Sequence, residues 1–430
     1  MTFRSRRTGT ALVVGAGLLA LAACAPSSSS GDGGADGDST TLTVWSWRVE
    51  DKAAYEKIFD AYEAKNPGVT VDFKPFKATE YNKILATGLA GSDGPDVPQV
   101  RSYGGLQTTV ASGSLVPLDD AVDLSAWDEN IVAGAKGKDD GKLYSVPLAR
   151  QATVLFYDKK MFADNGIQVP TTWDQFMSVN DTLLGKGITP LAVGAKDDWT
   201  LPIVHEVLGA SRFGGAAFQK SVQSGEKDFT DPDFVASVDV LKGLEKYMPK
   251  SVTGVAVTDA MTLFSSGKAA MYPGGSYDLA ALQTANPEMD LGVFQVPPAP
   301  GAPSGSEATT AGWADGNFAV NAKSPRKEAA TKLVQWMATP EFGQMVADDI
   351  KQISAVPGVT YSDPVLKDVA ANLDANGSPY LLLTDFRYGS PSGTDLLGKG
   401  TQELFLGSKD AETVSTELNE GVMTWFEPTS

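Results

Sequence analysis

Beyond residue 40, the first part of the chain shows two patterns of apolar and polar residues. One is strict alternation, and the other is recurrence of apolar residues at helical spacing. Residues 41–45 and 69–73 alternate apolar with polar side chains, which predicts two β-strands. In the range 51–65 between them, apolar residues from Tyr55 to Tyr62 recur at helical spacing, and Asn66-Pro67-Gly68 ends the predicted helix. A strand, a helix and a strand within about 33 residues predict a βαβ unit, and therefore a parallel sheet with a right-handed crossover.

Two later segments begin with helix-start signals. Thr172 to Gln175 form a capping box ahead of apolar residues at helical spacing. Ser324-Pro325 offers an N-cap and a proline at the first helical position, and apolar residues from Ala330 to Met337 then form one face. Because strands and helices are mixed along the chain, the pattern predicts the α/β class.

The amino-terminal segment follows a different pattern. Three arginines among the first seven residues precede an apolar run, 11–22, which ends in Leu21-Ala22-Ala23-Cys24. This layout predicts a signal peptide over residues 1–23, and the run is too short to span a bilayer. The segment resembles a bacterial lipobox, in which Cys24 is lipidated and becomes the new amino terminus. The alternative is an ordinary secretory signal followed by an incidental cysteine.

Residues 24–40 read as a flexible tether. The stretch is rich in serine, glycine and aspartate, and beyond Cys24 it has no apolar residue larger than proline. Such a stretch cannot bury enough surface to fold, and its random-coil reach is on the order of 20 Å. The rest of the chain, from residue 41 to residue 430, is long enough for two domains.

Composition excludes several classes of function. The formal net charge of −18 gives a surface that repels phosphate backbones, so we expect no nucleic-acid partner. Cys24 is the only cysteine and His205 the only histidine, which excludes thiolate and multi-histidine metal sites. We expect no metal and no cofactor. No later stretch is long and apolar enough for a membrane span, so the chain is not predicted to be a channel or permease.

Nine short motifs along the chain match the pattern of a known family in their order and spacing. They lie at residues 41–47, 62–68, 94–97, 140–147, 156–162, 169–174, 264–271, 274–277 and 328–336. With these blocks the chain resembles the extracellular solute-binding proteins of ABC importers, the family 1 group that includes maltose-binding protein and its sugar-binding relatives.

The resemblance implies a periplasmic-binding-protein-like α/β fold of two lobes, with a central ligand cleft and hinge crossings of the chain. The crossings are expected near residues 149–152, 293–298 and 358–363. Lobe one would then comprise 41–149 and 296–358, and lobe two 152–294 and 360–430.

The same resemblance implies a set of ligand-binding residues. A sugar site needs aromatic platforms for C–H faces and amide, carboxylate or guanidinium groups for hydroxyls. The expected residues are Trp45, Ser46, Trp47, Glu50, Arg101, Ser102, Tyr103, Gln151, Trp199, Gly275, Tyr277, Trp313, Asp315 and Arg387. Several of them follow predicted strands at the carboxyl end, where open α/β sheets bind ligands.

Some of these residues have a second interpretation. Trp45 fits a core position as well as a ligand contact, and Trp199 fits a surface loop packed on its own lobe. Tyr277 stands where relatives commonly carry a stacking tryptophan, which leaves the size and orientation of the ligand open.

The function implied is non-catalytic capture of a mono-, di- or oligosaccharide by lobe closure, followed by delivery to the permease subunits of an ABC importer. The protein would be a monomer, lipid-anchored through Cys24 on the outer face of the bacterial cytoplasmic membrane. One alternative keeps the fold and binds an organic anion, a peptide or a polyamine. Another is a secreted glycoside hydrolase with paired carboxylates.

Overall fold

Two β-sheets carry the fold, and the computed structural model describes residues 39–429. The predicted signal peptide, residues 1–23, and the lipidation site, Cys24, lie outside the described residues, as does nearly all of the predicted tether. The first strand begins at Thr40, at the end of that tether.

The strands are short except for β5. Their bounds are β1 Thr40–Ser46, β2 Val69–Pro75, β3 Val97–Val100, β4 Ser145–Val146, β5 Ala149–Asp158, β6 Thr189–Leu191, β7 Ala269–Gly275, β8 Leu291–Phe294, β9 Thr310–Asp315, β10 Asn317–Ala319 and β11 Gly377–Pro379. The first sheet has the order β2-β1-β3-β10-β4, and the second β11-β9-β5-β7-β6, with β8 also paired to β5.

Helices connect the strands and cover the sheets. Their bounds are α1 Lys52–Lys65, α2 Ala78–Ala90, α3 Gly104–Ala111, α4 Glu129–Ala133, α5 Lys159–Asp164, α6 Trp173–Gly185, α7 Leu201–Phe213, α8 Gly215–Gln223, α9 Pro232–Leu244, α10 Val257–Ser265, α11 Leu279–Ala285, α12 Lys327–Trp336, α13 Pro340–Met345, α14 Pro364–Asn376, α15 Leu381–Thr384, α16 Gly393–Leu406 and α17 Ala411–Val422. Single 3₁₀ turns lie at Asp198–Thr200, Glu245–Tyr247, Val252–Gly254 and Ser276–Asp278, and a π-helical turn at Val346–Ile350. Among residues 39–429, no helix combines the length and the apolar character that a bilayer crossing requires.

The first sheet contains the predicted βαβ unit. Strand β1 pairs in parallel with β2 and with β3, so that Val44 lies opposite Phe73 on one side and Val97 on the other. Helix α1 buries Tyr55, Ile58, Phe59 and Tyr62, the residues whose spacing predicts it. The prediction of parallel α/β structure is therefore confirmed, while β10 adds an antiparallel strand next to β3.

Strand β5 is the central strand of the second sheet. Its first residues pair with β9, with Gln151 opposite Trp313, and its later residues pair with β7 and β8. The chain enters β5 almost directly from β4 of the first sheet, and it leaves β9 almost directly into β10 of the first sheet. Two antiparallel runs thus pass side by side from one sheet to the other.

A third segment lies beside these two runs. The amide of Arg150 donates to the carbonyl of Ile353 at 2.8 Å, and the amide of Ala355 donates to the carbonyl of Leu148 at 3.0 Å.

We refer to the parts built on the first and second sheets as lobe one and lobe two. The expected crossing at 293–298 begins at the end of β8, which still pairs with β5, and the exact lobe boundaries stay a prediction.

Candidate ligand-binding cleft

The candidate cleft lies where the carboxyl ends of strands from both sheets meet. Parallel strands β1 and β3 end at the same edge of the first sheet, and residues 47–51 and 101–103 follow them. Strand β7 of the second sheet ends at Gly275 and is followed by Tyr277. Arg48 donates from Nη2 to the carbonyl oxygen of Tyr277 at 3.0 Å, so the two edges face each other.

Arg48 is the centre of a buried charged cluster at this meeting point. Its Nε lies 2.6 Å from Asp51 Oδ2 and its Nη1 lies 2.8 Å from Glu50 Oε1. Burial opposes the charge of Arg48, but the carboxylates of Asp51 and Glu50 outweigh it and raise the pKa of the guanidinium. Arg48 therefore stays ionised, and Glu50, an expected ligand contact, is already paired while its side chain remains exposed.

Arg101 lies on the face of Trp47. The Cζ atom of Arg101 is 3.7 Å from the centroid of the Trp47 ring, and Nη1 is 3.6 Å from Asp315 Oδ2. Nε of Arg101 is buried and has no hydrogen-bond partner within residues 39–429. Burial lowers the pKa of Arg101, and Asp315 acts in the opposite direction. The structure thus brings three of the expected residues together around an incompletely bonded guanidinium.

Aromatic rings pack together next to these charged groups, and those of Trp313 and Tyr380 are buried in the present arrangement. The ring of Trp313 lies edge-on to Tyr277, with centroids 6.5 Å apart, and edge-on to Tyr380 at 5.1 Å. Trp313 and Tyr277 are expected site residues, whereas the sequence gives no signal for Tyr380. Its position depends on the pairing of β11 with β9, which places the amide of Tyr380 3.1 Å from the carbonyl of Gly312.

Gln151 connects the segments that run between the sheets. Its Nε2 donates to Gln352 Oε1 at 2.9 Å, and its Oε1 accepts from Ser276 Oγ at 2.8 Å. Ser276 Oγ in turn accepts from the amide of Ala152 at 2.9 Å. Gln151 is 4% exposed, so in this arrangement its amide is bonded to the protein on both sides.

Tyr103 has a strained backbone at the beginning of α3. Its φ of 53° with ψ of −128° is a conformation that a non-glycine residue adopts at a cost on the order of 1–3 kcal/mol. Its hydroxyl donates to the carbonyl of Asn130 and accepts from the amide of Ala314, each at 3.1 Å. The neighbouring Ser102 donates to Asn317 Oδ1 at 3.0 Å. These bonds tie the loop after β3 to the strands β9 and β10.

Arg387 reaches the same loop from lobe two. A Cβ atom at Gly104 would overlap the carbonyl of Arg387 and lie 2.7 Å from the amide nitrogen of Tyr388. Lys138 of lobe one places its Nζ 5.2 Å from the ring centroid of Tyr388. The absence of a side chain at Gly104 therefore permits a direct backbone contact between the lobes.

Two buried acids near this cleft were not among the expected residues. Asp278 accepts from Tyr272 Oη at 3.1 Å and from the amide of Gly275 at 3.2 Å, and burial raises its pKa to about 7. Glu206 accepts from the amide of Leu381 at 3.1 Å, and burial raises its pKa to about 8. No motif in the sequence identifies either residue as part of a site.

The remaining expected residues lie at the margin of the candidate cleft or away from it. Trp45 packs on Phe76, with centroids 5.0 Å apart, and against Gly88 of α2. Ser46 donates to Gln99 Oε1 at 2.5 Å within the first sheet. Trp199 is 45% exposed in the turn that follows β6, the parallel neighbour of β7, and therefore lies towards the same edge of the second sheet. Gly275 is buried directly beneath the Tyr277 ring.

A separate groove of about 320 Å³ lies at the other end of β9. Small residues line it, among them Ser211, Gly214, Ala308 and Ser378, and none of the expected ligand-binding residues does. Aromatic and guanidinium groups converge at the cleft and not in this groove, so the cleft is the better candidate for a ligand site.

Comparisons with known proteins identify the family of the chain. The family described as bacterial extracellular solute-binding protein matches residues 46–344. The multiple sugar-binding protein of Streptococcus mutans is 28% identical over 320 residues, covering 72% of this chain and 74% of that protein. An uncharacterized ABC transporter extracellular-binding protein of Pyrococcus horikoshii is 22% identical over 390 residues, covering 86% of this chain and 83% of that protein.

A solved structure shows the same fold. The solute-binding protein RafE of Streptococcus pneumoniae, in complex with raffinose, has a TM-score of 0.74 and 22% sequence identity, covering 89% of this chain and 98% of that chain. The prediction of a two-lobed α/β fold is confirmed. Since the family match spans well over half of the sequence, the chain belongs to the bacterial extracellular solute-binding proteins.

Proposed function

We propose that the protein captures a carbohydrate in the cleft between its lobes and delivers it to the membrane subunits of an ABC importer. The observation that carries the proposal is the meeting of aromatic rings and guanidinium groups from both sheets. Trp313 lies beside Tyr277 and Tyr380, and the Arg48 guanidinium lies 5.7 Å from the centroid of the Tyr277 ring. Nη1 of Arg101 lies 3.6 Å from Oδ2 of Asp315, on the same strand as Trp313. Aromatic rings suit the C–H face of a sugar, and guanidinium groups suit its hydroxyls. The names of the S. mutans and P. horikoshii relatives and the raffinose complex support this class of ligand and this class of transporter.

The proposed mechanism is a balance between open and closed lobes. A ligand that contacts both lobes binds the closed form more tightly and shifts the balance by that difference. The contacts of Arg48 with Tyr277 and of Gly104 with Arg387 are available only when the lobes approach each other, so they belong to the closed form. No step of this mechanism changes a covalent bond in the ligand.

We also propose that the protein is exported and anchored to the membrane. The signal peptide, residues 1–23, would export the chain, and Cys24 would carry the lipid anchor on the outer face of the cytoplasmic membrane. The protein would act there as a monomer, with the residues after Cys24 as a tether. The family, whose members are extracellular, supports export. Mass spectrometry of the protein from the membrane fraction tests the anchor, because a diacyl or triacyl group on Cys24 has a distinct mass.

A thermal-shift and calorimetry screen tests the ligand class. The mature protein is mixed with mono-, di- and oligosaccharides, and with amino acids, polyamines and organic acids as controls. A ligand that binds only the folded state raises the melting temperature. A shift confined to one group of sugars, with the sugar recovered unchanged, supports the proposal. A shift with organic acids or polyamines alone would overturn the carbohydrate assignment, and recovery of a cleaved sugar would indicate a hydrolase.

A further inference from the structure

The face of Trp47 that a sugar would need is occupied by Arg101. Trp47 is 5% exposed, the Arg101 Cζ lies 3.7 Å from its ring centroid, and Tyr81 packs against it with centroids 5.5 Å apart. A separation of 3.7 Å is a stacking distance, which leaves no room for a sugar ring between the two groups. Stacking on Trp47 would therefore require Arg101 to leave its position.

Arg101 itself has unused hydrogen-bonding capacity. A guanidinium has five N–H donors, yet Nε of Arg101 has no partner among the described residues, and Nη1 lies 3.6 Å from Asp315. That separation is longer than a hydrogen bond. A buried donor without a partner carries a free-energy cost, which an oxygen atom of a ligand would remove. The guanidinium is thus suited to receive a ligand.

Two elements from different parts of the chain fix the orientation of Arg101. Trp47 follows β1 and supports the flat face of the guanidinium, while Asp315 at the end of β9 lies beside its edge. The flat face and the edge are both needed, because the planar fork of an arginine binds two neighbouring oxygens only in one orientation.

We propose that Trp47 contributes to ligand binding through Arg101: its ring holds the guanidinium flat at the cleft, where Arg101 bonds two neighbouring oxygens of the sugar. Trp47 is then a positioning residue and does not stack on the ligand. This inference rests on the proposed function and assigns different roles to two residues of the same site.

A double-mutant cycle separates the two roles. The variants are Trp47→Leu, Arg101→Met and the combination, and the dissociation constant is measured by calorimetry with the sugar that gives the largest thermal shift. We expect each single variant to weaken binding about 10- to 100-fold, as for a central binding residue, and the combination to weaken it no further than Arg101→Met. A combined loss equal to the product of the single losses would mean that Trp47 contacts the ligand independently, and would overturn the inference.

Conservative variants keep the test informative if Trp47→Leu does not fold. Trp47→Phe retains an aromatic face for the guanidinium and is expected to bind within about threefold of the wild type. Arg101→Lys retains the charge but lacks the planar fork, so it is expected to lose most of the affinity that Arg101→Met loses. If Arg101→Lys binds as the wild type does, orientation by Trp47 has no role.

Matched controls distinguish this inference from the proposed function. Trp336 packs on Tyr62 and Phe342 in lobe one, and Arg326 pairs with Asp96, so Trp336→Leu and Arg326→Met alter the same residue types away from the cleft. Both are expected to bind sugar normally. Absence of sugar binding by the wild type would reject the proposed function, whereas normal sugar binding by Arg101→Met would reject only the inference.

Discussion

The guanidinium of Arg48, beyond the end of the first strand in lobe one, donates to the backbone carbonyl of Tyr277 in lobe two at 3.0 Å. The same guanidinium is held by Asp51 and Glu50 on its own side, so it is presented to the other lobe in a fixed orientation. Because the acceptor is a backbone atom, the contact does not depend on which side chain occupies position 277. Arg48 therefore forms a direct hydrogen bond between the lobes in this structure.

Replacing Arg48 is expected to favour the open form. Arg48→Met removes a charged hydrogen bond worth about 1.5–3 kcal/mol, which corresponds to a loss of roughly tenfold or more in ligand affinity. Small-angle X-ray scattering should show a larger radius of gyration for the ligand-free variant than for the wild type. Arg326→Met serves as the control. An unchanged radius of gyration together with unchanged affinity would show that Arg48 does not hold the lobes together.

Adding a single methyl group at Gly104 is expected to block closure. In the present arrangement the new Cβ would overlap the carbonyl of Arg387, which belongs to the backbone and cannot rotate away. Gly104→Ala should therefore weaken ligand binding by about 10- to 100-fold, as for overpacking of a close contact, while the melting temperature without ligand stays the same or rises. Calorimetry and thermal unfolding measure the two effects.

Gly243 of α9 provides the control for Gly104. A Cβ added at Gly243 meets no atom within 4 Å, so Gly243→Ala changes the same residue type within a helix without a steric conflict. This variant should bind the ligand normally. Equal affinities for Gly104→Ala and Gly243→Ala would mean that the Gly104–Arg387 contact is absent from the bound form.

The local pattern of the sequence predicts the sheets better than it predicts the cleft. The spacing of Tyr55, Ile58, Phe59 and Tyr62 predicts α1 because a helix face is a local property, and the alternation of 41–45 predicts β1 for the same reason. The position of Tyr380 beside Trp313 depends on pairing between β9 and β11, which are more than sixty residues apart in the sequence. Because β11 has only three residues, its sequence shows no periodic pattern that would predict a strand.

The sequence pattern also does not predict which contacts single side chains of the cleft make. Trp45 and Trp47 are two positions apart, are both expected site residues and both pack against α2, but Arg101 lies only on the face of Trp47. Alternation along β1 predicts that the two rings share a face, but it carries no information on a contact with a residue that follows β3. The ligand-contact roles of the expected residues stay predictions.

Glu206 is expected to make the stability of the fold depend on pH. Burial raises its pKa from 4.5 to about 8, so between these values the folded protein holds a proton that the unfolded chain has released. The free energy of unfolding therefore decreases as pH rises through this range, and above about pH 8 the full penalty remains. Glu206→Gln keeps an oxygen that accepts from the amide of Leu381 but does not ionise.

The Glu206→Gln variant should therefore have the same melting temperature as the wild type near pH 4 and a higher one near pH 9. Urea unfolding at several pH values gives the free energies directly. Glu56→Gln, which removes an exposed partner of Lys52, is the control and should show no such divergence. A parallel pH dependence of Glu206→Gln and the wild type would show that Glu206 does not titrate in this range.

Replacing Gln151 separates a structural role from a ligand contact. Its amide donates to Gln352 and accepts from Ser276, so Gln151→Met leaves two buried polar groups with one partner fewer. Each such group costs about 1–3 kcal/mol, and we expect the free energy of unfolding to fall by about 2–6 kcal/mol in chemical denaturation. Gln335→Met, on the exposed side of α12, should change it by less than about 0.5 kcal/mol. If Gln151→Met instead keeps its stability and loses only ligand affinity, Gln151 turns from its hydrogen bonds with the protein to bind the ligand.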